Sequence, residues 1–293
     1  MNNHAMERAE VLIEALPYIQ KFRDDLVVIK FGGSAMEDPE LTRRTMRDIV
    51  LLEATGMKPV VVHGGGKAIN RAMAKSGLQA EFKNGMRVTD EKTVSIVEDV
   101  LNNEVNAEIA ELLKSHGCEP CRLRGNDVLC CEKLLSFDEN GAPVDIGYVG
   151  KINSIKSKLI KKAISEGGTP VISPIAMGED MHPYNTNADV AAAAVAAALK
   201  ARRLVFLCDV PGLMRDPKDR STLISHLKVD EVEGLKRDGI IGGGMMPKVD
   251  SGVDAIRKGV RRVHFIDGYM PHSLLLEIFT DKGIGTEIVT SAK

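Results

Sequence analysis

Two continuous apolar runs that end in glycine clusters constrain the fold of this chain most strongly. Residues 26–29 (Leu-Val-Val-Ile) lead into Gly32 and Gly33, and residues 60–62 (Val-Val-Val) lead into the cluster 64–66. Unbroken apolar runs of this length are typical of parallel strands that are buried on both faces. Because a helical pattern follows each cluster, we expect both glycine loops at the carboxyl edge of one sheet.

The same alternation of strand and helix continues along the 293 residues. We expect helices over 39–56, 90–115 and 188–201, and further buried strands at 170–172, 204–207, 263–266 and 287–289. Strands that alternate with helices predict an α/β fold with a mainly parallel central sheet covered on both faces, a three-layer αβα sandwich.

The charge balance and hydropathy exclude several classes of protein. Lys and Arg total 39 against 41 Asp and Glu, a net charge of -2, so neither nucleic acid nor an anionic membrane is an expected partner. No apolar run approaches the roughly 18 residues that span a bilayer. The first residues lack a signal-peptide pattern, so we expect a cytoplasmic protein.

The five cysteines do not form a disulfide framework. Cys118, Cys121, Cys130 and Cys131 leave one reading open, a zinc knuckle, although adjacent cysteines suit a tetrahedral site poorly. Free thiols in a turn and a strand are the simpler interpretation, with Cys208 elsewhere in the chain.

The N-terminal segment predicts an amphipathic helix over 6–23. Its apolar side carries Val11, Leu12 and Leu16, and Pro17 should kink it because proline removes a backbone donor. The helix either packs on its own chain or forms an arm that docks on another subunit.

The glycine clusters are consistent with anion binding, because glycine lets backbone N–H groups approach an anion closely. Two tight βα turns would explain each cluster equally well. A phosphate-binding G-x-x-x-x-G-K-[ST] loop fails because Ala68 follows Lys67, and a G-x-G-x-x-G dinucleotide fingerprint fails at Ile69.

Two later segments add polar groups. Residues 185–189 (Asn-Thr-Asn-Ala-Asp) precede the alanine-rich helix and are typical of a helix cap. Residues 242–248 (Gly-Gly-Gly-Met-Met-Pro-Lys) place Lys248 at a helix start, where a cation is mildly disfavoured unless an anion lies nearby.

Taken together, these segments resemble the N-acetylglutamate kinases of the amino acid kinase superfamily. The resemblance runs from about residue 26 to the C-terminus and is carried by VIKFGGSAM, VVHGGGKAIN, NGMRVTD, YNTNADVAAAAVAAAL, LCDVPGL and GGGMMPKVDSGVDAI. Related kinases such as glutamate 5-kinase and aspartokinase share the K-x-G-G motif near the start of the chain and the late lysine, but not the whole set of segments. A non-catalytic sensor on the same fold is a further alternative.

The resemblance implies phosphoryl transfer from ATP, with Mg²⁺, to the side-chain carboxylate of N-acetyl-L-glutamate. That nucleophile is already ionised, so no general base is required. Lys30 and Lys248 would flank the transferring phosphoryl group, with Asp189 holding both lysines and no protein metal site implied.

The resemblance also implies where the two substrates bind. The nucleotide would lie at Gly32, Gly33 and Asp209. The substrate would lie at the backbone amides of Gly64 and Gly65, which face its side-chain carboxylate, and at Arg87 and Asn185, which hold its α-carboxylate. His63 is the best histidine for a catalytic role, but its setting before three glycines suggests that it shapes the loop.

Arginine-sensitive members of this family carry a kinked N-terminal helix and a C-terminal stretch like residues 272–286. By resemblance we expect a homohexamer, a trimer of dimers, that is inhibited by L-arginine at Tyr18, His272, Glu277 and Gly283. The expected organisation is an oligomerisation helix (1–24), a substrate lobe that also forms the dimer (25–200) and a nucleotide lobe (201–293). Whether a PII-type regulator binds stays open.

Overall fold

The computed structural model describes residues 3–291, in which strands and helices alternate along most of the chain. The helices are α1 Asn3–Phe22, α2 Pro39–Ala54, α3 Gly66–Lys75, α4 Glu91–Asp99, α5 Asn106–Ser115, α6 Gly125–Val128, α7 Ser157–Ser165, α8 Ala188–Leu199, α9 Val232–Arg237, α10 Met245–Arg257 and α11 Ser273–Ile278.

The strands are β1 Leu26–Phe31, β2 Lys58–His63, β3 Phe82–Lys83, β4 Met86–Arg87, β5 Pro120–Leu123, β6 Leu129–Lys133, β7 Ser136–Phe137, β8 Pro143–Val144, β9 Gly150–Ile155, β10 Thr169–Ile172, β11 Ile175–Gly178, β12 Pro183–Asn185, β13 Arg203–Cys208, β14 His226–Lys228, β15 Arg262–Asp267 and β16 Thr286–Val289.

Eight strands form the central sheet, in the order β14-β16-β15-β13-β1-β2-β10-β5. All neighbouring pairs are parallel except β15 and β16. The predicted α/β class with a mainly parallel sheet and helices on both sides is therefore confirmed.

Alternate residues of β1 pack into two different cores. Val28 belongs to the core that includes α8 and α10, whereas Val27 and Ile29 belong to the core that includes α2 and α5. Burial on both faces explains the unbroken apolar run in the sequence, because neither side of this strand faces water.

The long helix predicted over 90–115 is present, but it is not a regular α-helix throughout. Val100–Val105, between α4 and α5, is π-helical. An extra residue in a helical turn re-aims the side chains that follow it, and such insertions are frequent at functional sites. Leu101 and Val105 of this segment line a cavity at the end of the sheet.

A smaller four-stranded sheet, in the order β12-β11-β6-β9, packs beside the main sheet. The predicted hairpin around residues 138–141 joins β7 to β8, with Gly141 at φ 79°. A second hairpin joins β3 to β4 and carries Arg87 at its end.

The N-terminal helix extends over Asn3–Phe22 and includes Pro17; a kink at that proline stays a prediction. Phe22 is buried and lies 4.0 Å from the Arg203 guanidinium, whereas Leu12 and Leu16 are exposed at 71% and 42%. The end of the helix is therefore anchored on this chain, while its apolar side has no cover from the residues that the structure describes.

The expected organisation into 1–24, 25–200 and 201–293 stays a prediction, and residues 1–2 and 292–293 of it lie outside the described residues. One sheet runs through both expected lobes, because β1 pairs with β13. Between residues 3 and 291, no helix is long and apolar enough to cross a membrane.

Candidate active site

Two lysines from distant parts of the chain converge on one carboxylate. Lys30 lies on β1, Lys248 in the first turn of α10 and Asp189 in the first turn of α8. The Lys30 Nζ lies 3.0 Å from Asp189 Oδ1, and the Lys248 Nζ lies 2.5 Å from Oδ2. The structure thus brings together the three residues expected to be catalytic, and each ammonium takes one oxygen of the same carboxylate.

Within this triad, burial and ion pairing shift the pKa values of Asp189 and Lys248 in opposite directions. Asp189 and Lys30 are both buried. Burial alone would raise the pKa of Asp189, but Lys30 and Lys248 outweigh it and hold that pKa below its usual value. Burial likewise opposes the charge on Lys248, yet Asp189 raises the pKa of Lys248 above its usual value. The shifts of Asp189 and Lys248 both favour the charged form of the pair.

The segment 185–189 combines a helix cap with a charged group. Asn187 is the N-cap of α8, and its Oδ1 accepts from the backbone N–H of Asp189 at 2.7 Å. Capping thus explains Asn187 but leaves the Asp189 carboxylate for the lysines. The Asp189 carboxylate is also the nearby anion that offsets the unfavourable position of a lysine at the start of α10.

The two glycine loops touch each other at the end of the sheet. The Gly64 N–H donates to the Phe31 carbonyl oxygen at 2.7 Å. A Cβ added to Gly32 would lie 2.8 Å from the Lys30 Nζ, so a larger residue there would displace the ammonium. Gly33 has φ +77°, and a Cβ there would lie 2.9 Å from Asp209 Oδ1. The backbone conformation thus favours glycine at position 33, and a side chain at position 32 would disturb the Lys30 ammonium.

The predicted role of the Gly64 amide stays a prediction. Gly64 lines the cavity described below, and in this structure its N–H donates to Phe31. Gly65 is the N-cap of α3 and Gly66 its first residue, and the first backbone N–H groups of a helix lack intrahelical acceptors. Both residues line the cavity together with Gly64, so their amides are further candidates for holding an anion.

A cavity of ≈ 460 Å³ opens beside these groups. It is lined by Lys30, Asp189 and Asn185, by the start of α3 and by Arg87. The Asn185 Nδ2 donates to Thr89 Oγ1 at 3.4 Å, which ties this side chain to the strand end beside Arg87. The predicted substrate residues thus share one pocket with two of the three triad residues.

Arg87 is a buried cation whose contacts are uncharged. Its Nη2 donates to Asn70 Oδ1 at 2.6 Å and to the Gly66 carbonyl at 3.2 Å, and its Nη1 contacts Met73 Sδ at 3.3 Å. The Phe82 ring centroid lies 4.8 Å from the guanidinium carbon. Burial lowers the pKa of Arg87 from its usual value, which leaves it charged at neutral pH.

Asp209 follows β13 and is exposed at the same edge of the sheet as Gly33. Over residues 3–291 there is no cluster of three or more His, Cys, Asp or Glu side chains that could hold a metal ion. A Mg²⁺ ion that arrives on a nucleotide fits this arrangement, because it keeps several waters and needs only one or two protein carboxylates.

The sequence matches known proteins along nearly its full length. Residues 25–267 match the amino acid kinase family. The acetylglutamate kinase of Syntrophomonas wolfei is 50% identical over 97% of this chain and 98% of its own length. That of Akkermansia muciniphila is 48% identical over 97% of this chain and 96% of its own.

The chain belongs to the amino acid kinase family, among the acetylglutamate kinases.

A solved structure of a different enzyme shares the fold of this acetylglutamate kinase family member. N-acetylglutamate synthase from Neisseria gonorrhoeae, complexed with coenzyme A and L-arginine, is 26% identical with a TM-score of 0.79. The match covers 95% of this chain but 64% of the synthase chain.

A second cavity of ≈ 670 Å³ lies between α1 and the C-terminal strands of this kinase. Tyr18, Glu277 and Gly283, three of the four residues expected to bind arginine, line it. Glu277 is buried; its Oε2 accepts from the N–H groups of Ile284 and Gly285 at 2.7 and 2.9 Å. Gly283 has φ +61°, and a Cβ there would lie 2.6 Å from Glu277 Oε2.

The fourth residue expected there, His272, lies elsewhere. Its Nδ1 contacts Asp48 Oδ1 on α2 at 2.6 Å, and it lines a different cavity. His264 on β15 is the histidine that contacts Glu277, with Nδ1 2.7 Å from Oε1. Burial alone would raise the pKa of Glu277, but His264 and the two backbone N–H groups lower it overall.

The cysteines are free thiols. Cys118 is buried and its Sγ donates to Thr169 Oγ1 at 3.2 Å, and Cys208 and Cys131 are buried as well. Burial raises the pKa of Cys131 to about 12, so this thiol is not a ready metal ligand or nucleophile. The zinc alternative gains no support within the described part of the chain.

Several pocket residues were not anticipated from the sequence. Asn70 and Met73 lie one turn apart on α3 and hold Arg87, and Phe82 covers it. Leu101 and Val105, which both lie in the π-helical segment, line the pocket. Helical spacing from Gly66 could have placed Asn70 and Met73 on the pocket side of α3, but no local pattern marks a π-helical insertion.

Proposed function

We propose that this chain transfers the γ-phosphoryl group of ATP to the side-chain carboxylate of N-acetyl-L-glutamate. The product is N-acetyl-L-glutamyl 5-phosphate, and the reaction belongs to cytoplasmic arginine biosynthesis. The observation that carries the proposal is the shared Asp189 carboxylate, which holds the ammonium groups of Lys30 and Lys248 together beside a pocket that also contains the Arg87 guanidinium.

The chemical difficulty is to bring two anions together. Two ammonium groups that are already oriented by Asp189 can offset the charge on the transferring phosphoryl group without reorganising during the reaction. The nucleophile is a carboxylate that is ionised at neutral pH, so positioning and charge compensation are sufficient. Asp189 is engaged by both lysines and is therefore a positioning group and not a base.

The substrate would lie between α3 and β4. The backbone N–H groups of Gly65 and Gly66 suit its reacting carboxylate, because a helix N-terminus favours an anion. Arg87 suits the α-carboxylate, since its planar guanidinium can pair with both oxygens. Asn185 lies in the same pocket and adds an amide for that end of the molecule.

The nucleotide would lie at the edge of the sheet formed by β1 and β13. Gly32 and Gly33 allow the phosphates to approach the backbone, with Asp209 beside Gly33. When bound with the nucleotide, Mg²⁺ would neutralise phosphate charge. The full-length similarity to acetylglutamate kinases supports both substrates.

A substrate-panel assay tests this proposal. The protein is incubated with ATP and each of N-acetyl-L-glutamate, L-glutamate and L-aspartate, and the acyl phosphate is trapped with hydroxylamine. We expect product only with the acetylated substrate. Turnover of free glutamate or aspartate would assign the chain to another amino acid kinase activity, and no turnover with any substrate would favour a sensor.

We further propose that L-arginine inhibits the enzyme at the second cavity and that the enzyme is a hexamer. Glu277 would meet the positive end of the ligand, with Tyr18, Gly283 and His264 around it. The bound L-arginine in the synthase of the same fold supports an arginine site in this architecture. The exposed apolar side of α1 supports a partner helix from another subunit.

A further inference from the structure

His63 lies beneath the glycine loop and has no exposed surface. Its Nδ1 is 2.7 Å from the carbonyl oxygen of Gly64, and its Nε2 is 3.3 Å from Nδ2 of Asn106 on α5. Both ring nitrogens are therefore engaged inside the protein. His63 does not line the active-site cavity, although Gly64 and Gly65 do.

The orientation of the Asn106 amide is fixed by two partners that can act in only one way. The Nε of Arg122 on β5, which can only donate, lies 3.1 Å from Asn106 Oδ1. The Val171 carbonyl, which can only accept, lies 2.9 Å from Asn106 Nδ2. The nitrogen of this amide must therefore face His63.

Two independent constraints then assign the same tautomer to His63. Because Asn106 Nδ2 donates, His63 Nε2 must accept and carries no proton. Because the Gly64 carbonyl accepts, His63 Nδ1 must carry the proton. Burial lowers the pKa of His63 to about 4, which is consistent with a neutral ring.

The peptide between Gly64 and Gly65 carries this constraint to the cavity. A trans peptide is planar, and its C=O and N–H groups point in opposite directions. Holding the Gly64 carbonyl down towards His63 therefore turns the Gly65 N–H up towards the cavity that Gly65 lines. Without that hydrogen bond, the peptide could flip with little steric resistance, because neither residue has a Cβ.

We propose that His63 is a positioning residue. It is the last member of a series of hydrogen bonds that runs from Arg122 through Asn106 to His63, and its Nδ1–H holds the Gly64 carbonyl so that the Gly65 N–H points at the reacting carboxylate. This assignment rests on the proposed function for the identity of that carboxylate. The tautomer does not depend on it.

Three substitutions at one position separate this role from a structural one. Asn can place an amide N–H close to where His63 Nδ1 lies, Gln places it nearer the position of Nε2, and Leu removes the donor at similar size. We expect KM for N-acetyl-L-glutamate to rise about 10- to 100-fold in His63→Leu and His63→Gln. In His63→Asn we expect it to stay within about threefold, with KM for ATP unchanged in all three.

A merely structural role predicts another pattern. Partial unfolding lowers the concentration of active enzyme, and therefore the apparent kcat, without a selective rise in one KM. Equal effects of the Asn and Leu variants on KM for N-acetyl-L-glutamate, in folded protein, would overturn the positioning role.

Nitrogen NMR of histidine-labelled protein tests the tautomer in the wild type. Of the seven histidines, the His63 signals are those missing from His63→Asn. We expect a protonated Nδ1 and an unprotonated Nε2 at neutral pH. A protonated Nε2 would overturn the inference even in an active enzyme, whereas a protein with the expected tautomer that fails to turn over N-acetyl-L-glutamate would contradict the proposed function instead.

Discussion

The Lys248 ammonium lies 2.5 Å from the Asp189 carboxylate, although 59 residues separate them in the chain. Asp189 also pairs with Lys30, so the same carboxylate sets the distance between two cations that would otherwise repel each other. The account of catalysis depends on this arrangement, because it holds positive charge in place before the substrates bind.

Replacing Lys30 with Met should remove one of the two compensating charges. We expect kcat to fall at least about 10²-fold, as for the loss of one preorganised donor to a transition state. Steady-state kinetics at saturating ATP measures this. Lys161→Met on α7 is a suitable control, because that lysine is exposed and lines none of the described cavities. Unchanged turnover in Lys30→Met would exclude the proposed role.

Replacing Asp189 with Asn should release both ammonium groups. We expect loss of turnover and a drop of about 3 kcal/mol in the free energy of unfolding, because a buried charge pair loses one partner. The pKa of Asp189 is lowered in the folded state, so its contribution is complete above about pH 4 and is lost as the pH falls through the folded pKa.

Denaturant titrations over a range of acid pH can detect this contribution. The wild type should lose stability more steeply than Asp189→Asn in the most acidic range, where Asp189 becomes protonated. Asp238→Asn, at an exposed position after α9, serves as the control. Parallel acid profiles for the wild type and Asp189→Asn would contradict the lowered pKa.

Much of this site followed from local sequence. The apolar runs that end in glycine correctly predicted that Lys30 lies on a buried strand and that a glycine loop follows it. Strand-forming apolar runs and glycine turns can both be recognised from neighbouring residues. The hydrogen bond from the Gly64 N–H to Phe31 of the neighbouring strand could not be predicted in this way. That contact exists only once β1 and β2 are paired.

Two further features of the structure were not predicted from the sequence. The histidine beside Glu277 is His264 on a neighbouring strand and not His272 on the adjoining turn, and chain proximity could not reveal that choice. The apolar positions over 90–115 fit a regular helix, so the π-helical Val100–Val105 left no trace in the periodicity.

Replacing Arg87 with Lys should weaken substrate binding more than turnover. Lysine keeps the charge but cannot pair with both oxygens of a carboxylate or stack on Phe82. We expect KM for N-acetyl-L-glutamate to rise about 10- to 100-fold, with KM for ATP unchanged. Equal increases in both KM values would argue that Arg87 serves the fold and not the substrate.

Arginine inhibition should depend on Glu277 and His264 but not on His272. We expect Glu277→Gln and His264→Asn to raise the arginine concentration for half-inhibition at least about tenfold, because a charged hydrogen bond is lost. His272→Asn is the matched control, since His272 lines a different cavity. Inhibition that is lost in His272→Asn and retained in His264→Asn would reverse this assignment.

Charges on the exposed side of α1 should dissociate the proposed hexamer. Leu12→Glu combined with Leu16→Glu places two carboxylates on an apolar surface, which we expect to reduce hexamers to dimers and to weaken arginine inhibition. Sedimentation velocity measures the change, and Glu14→Gln is the control on the same helix. A variant that stays hexameric and fully sensitive to arginine would argue that α1 packs only on its own chain.

The most direct test is a crystal structure with a non-hydrolysable ATP analogue and N-acetyl-L-glutamate. The account predicts the γ-phosphoryl group between Lys30 and Lys248, with each Nζ within about 3 Å of one of its oxygens and the substrate carboxylate at the Gly65 and Gly66 amides. A triphosphate that ends in a different cleft, with both ammonium groups still on Asp189 alone, would contradict it.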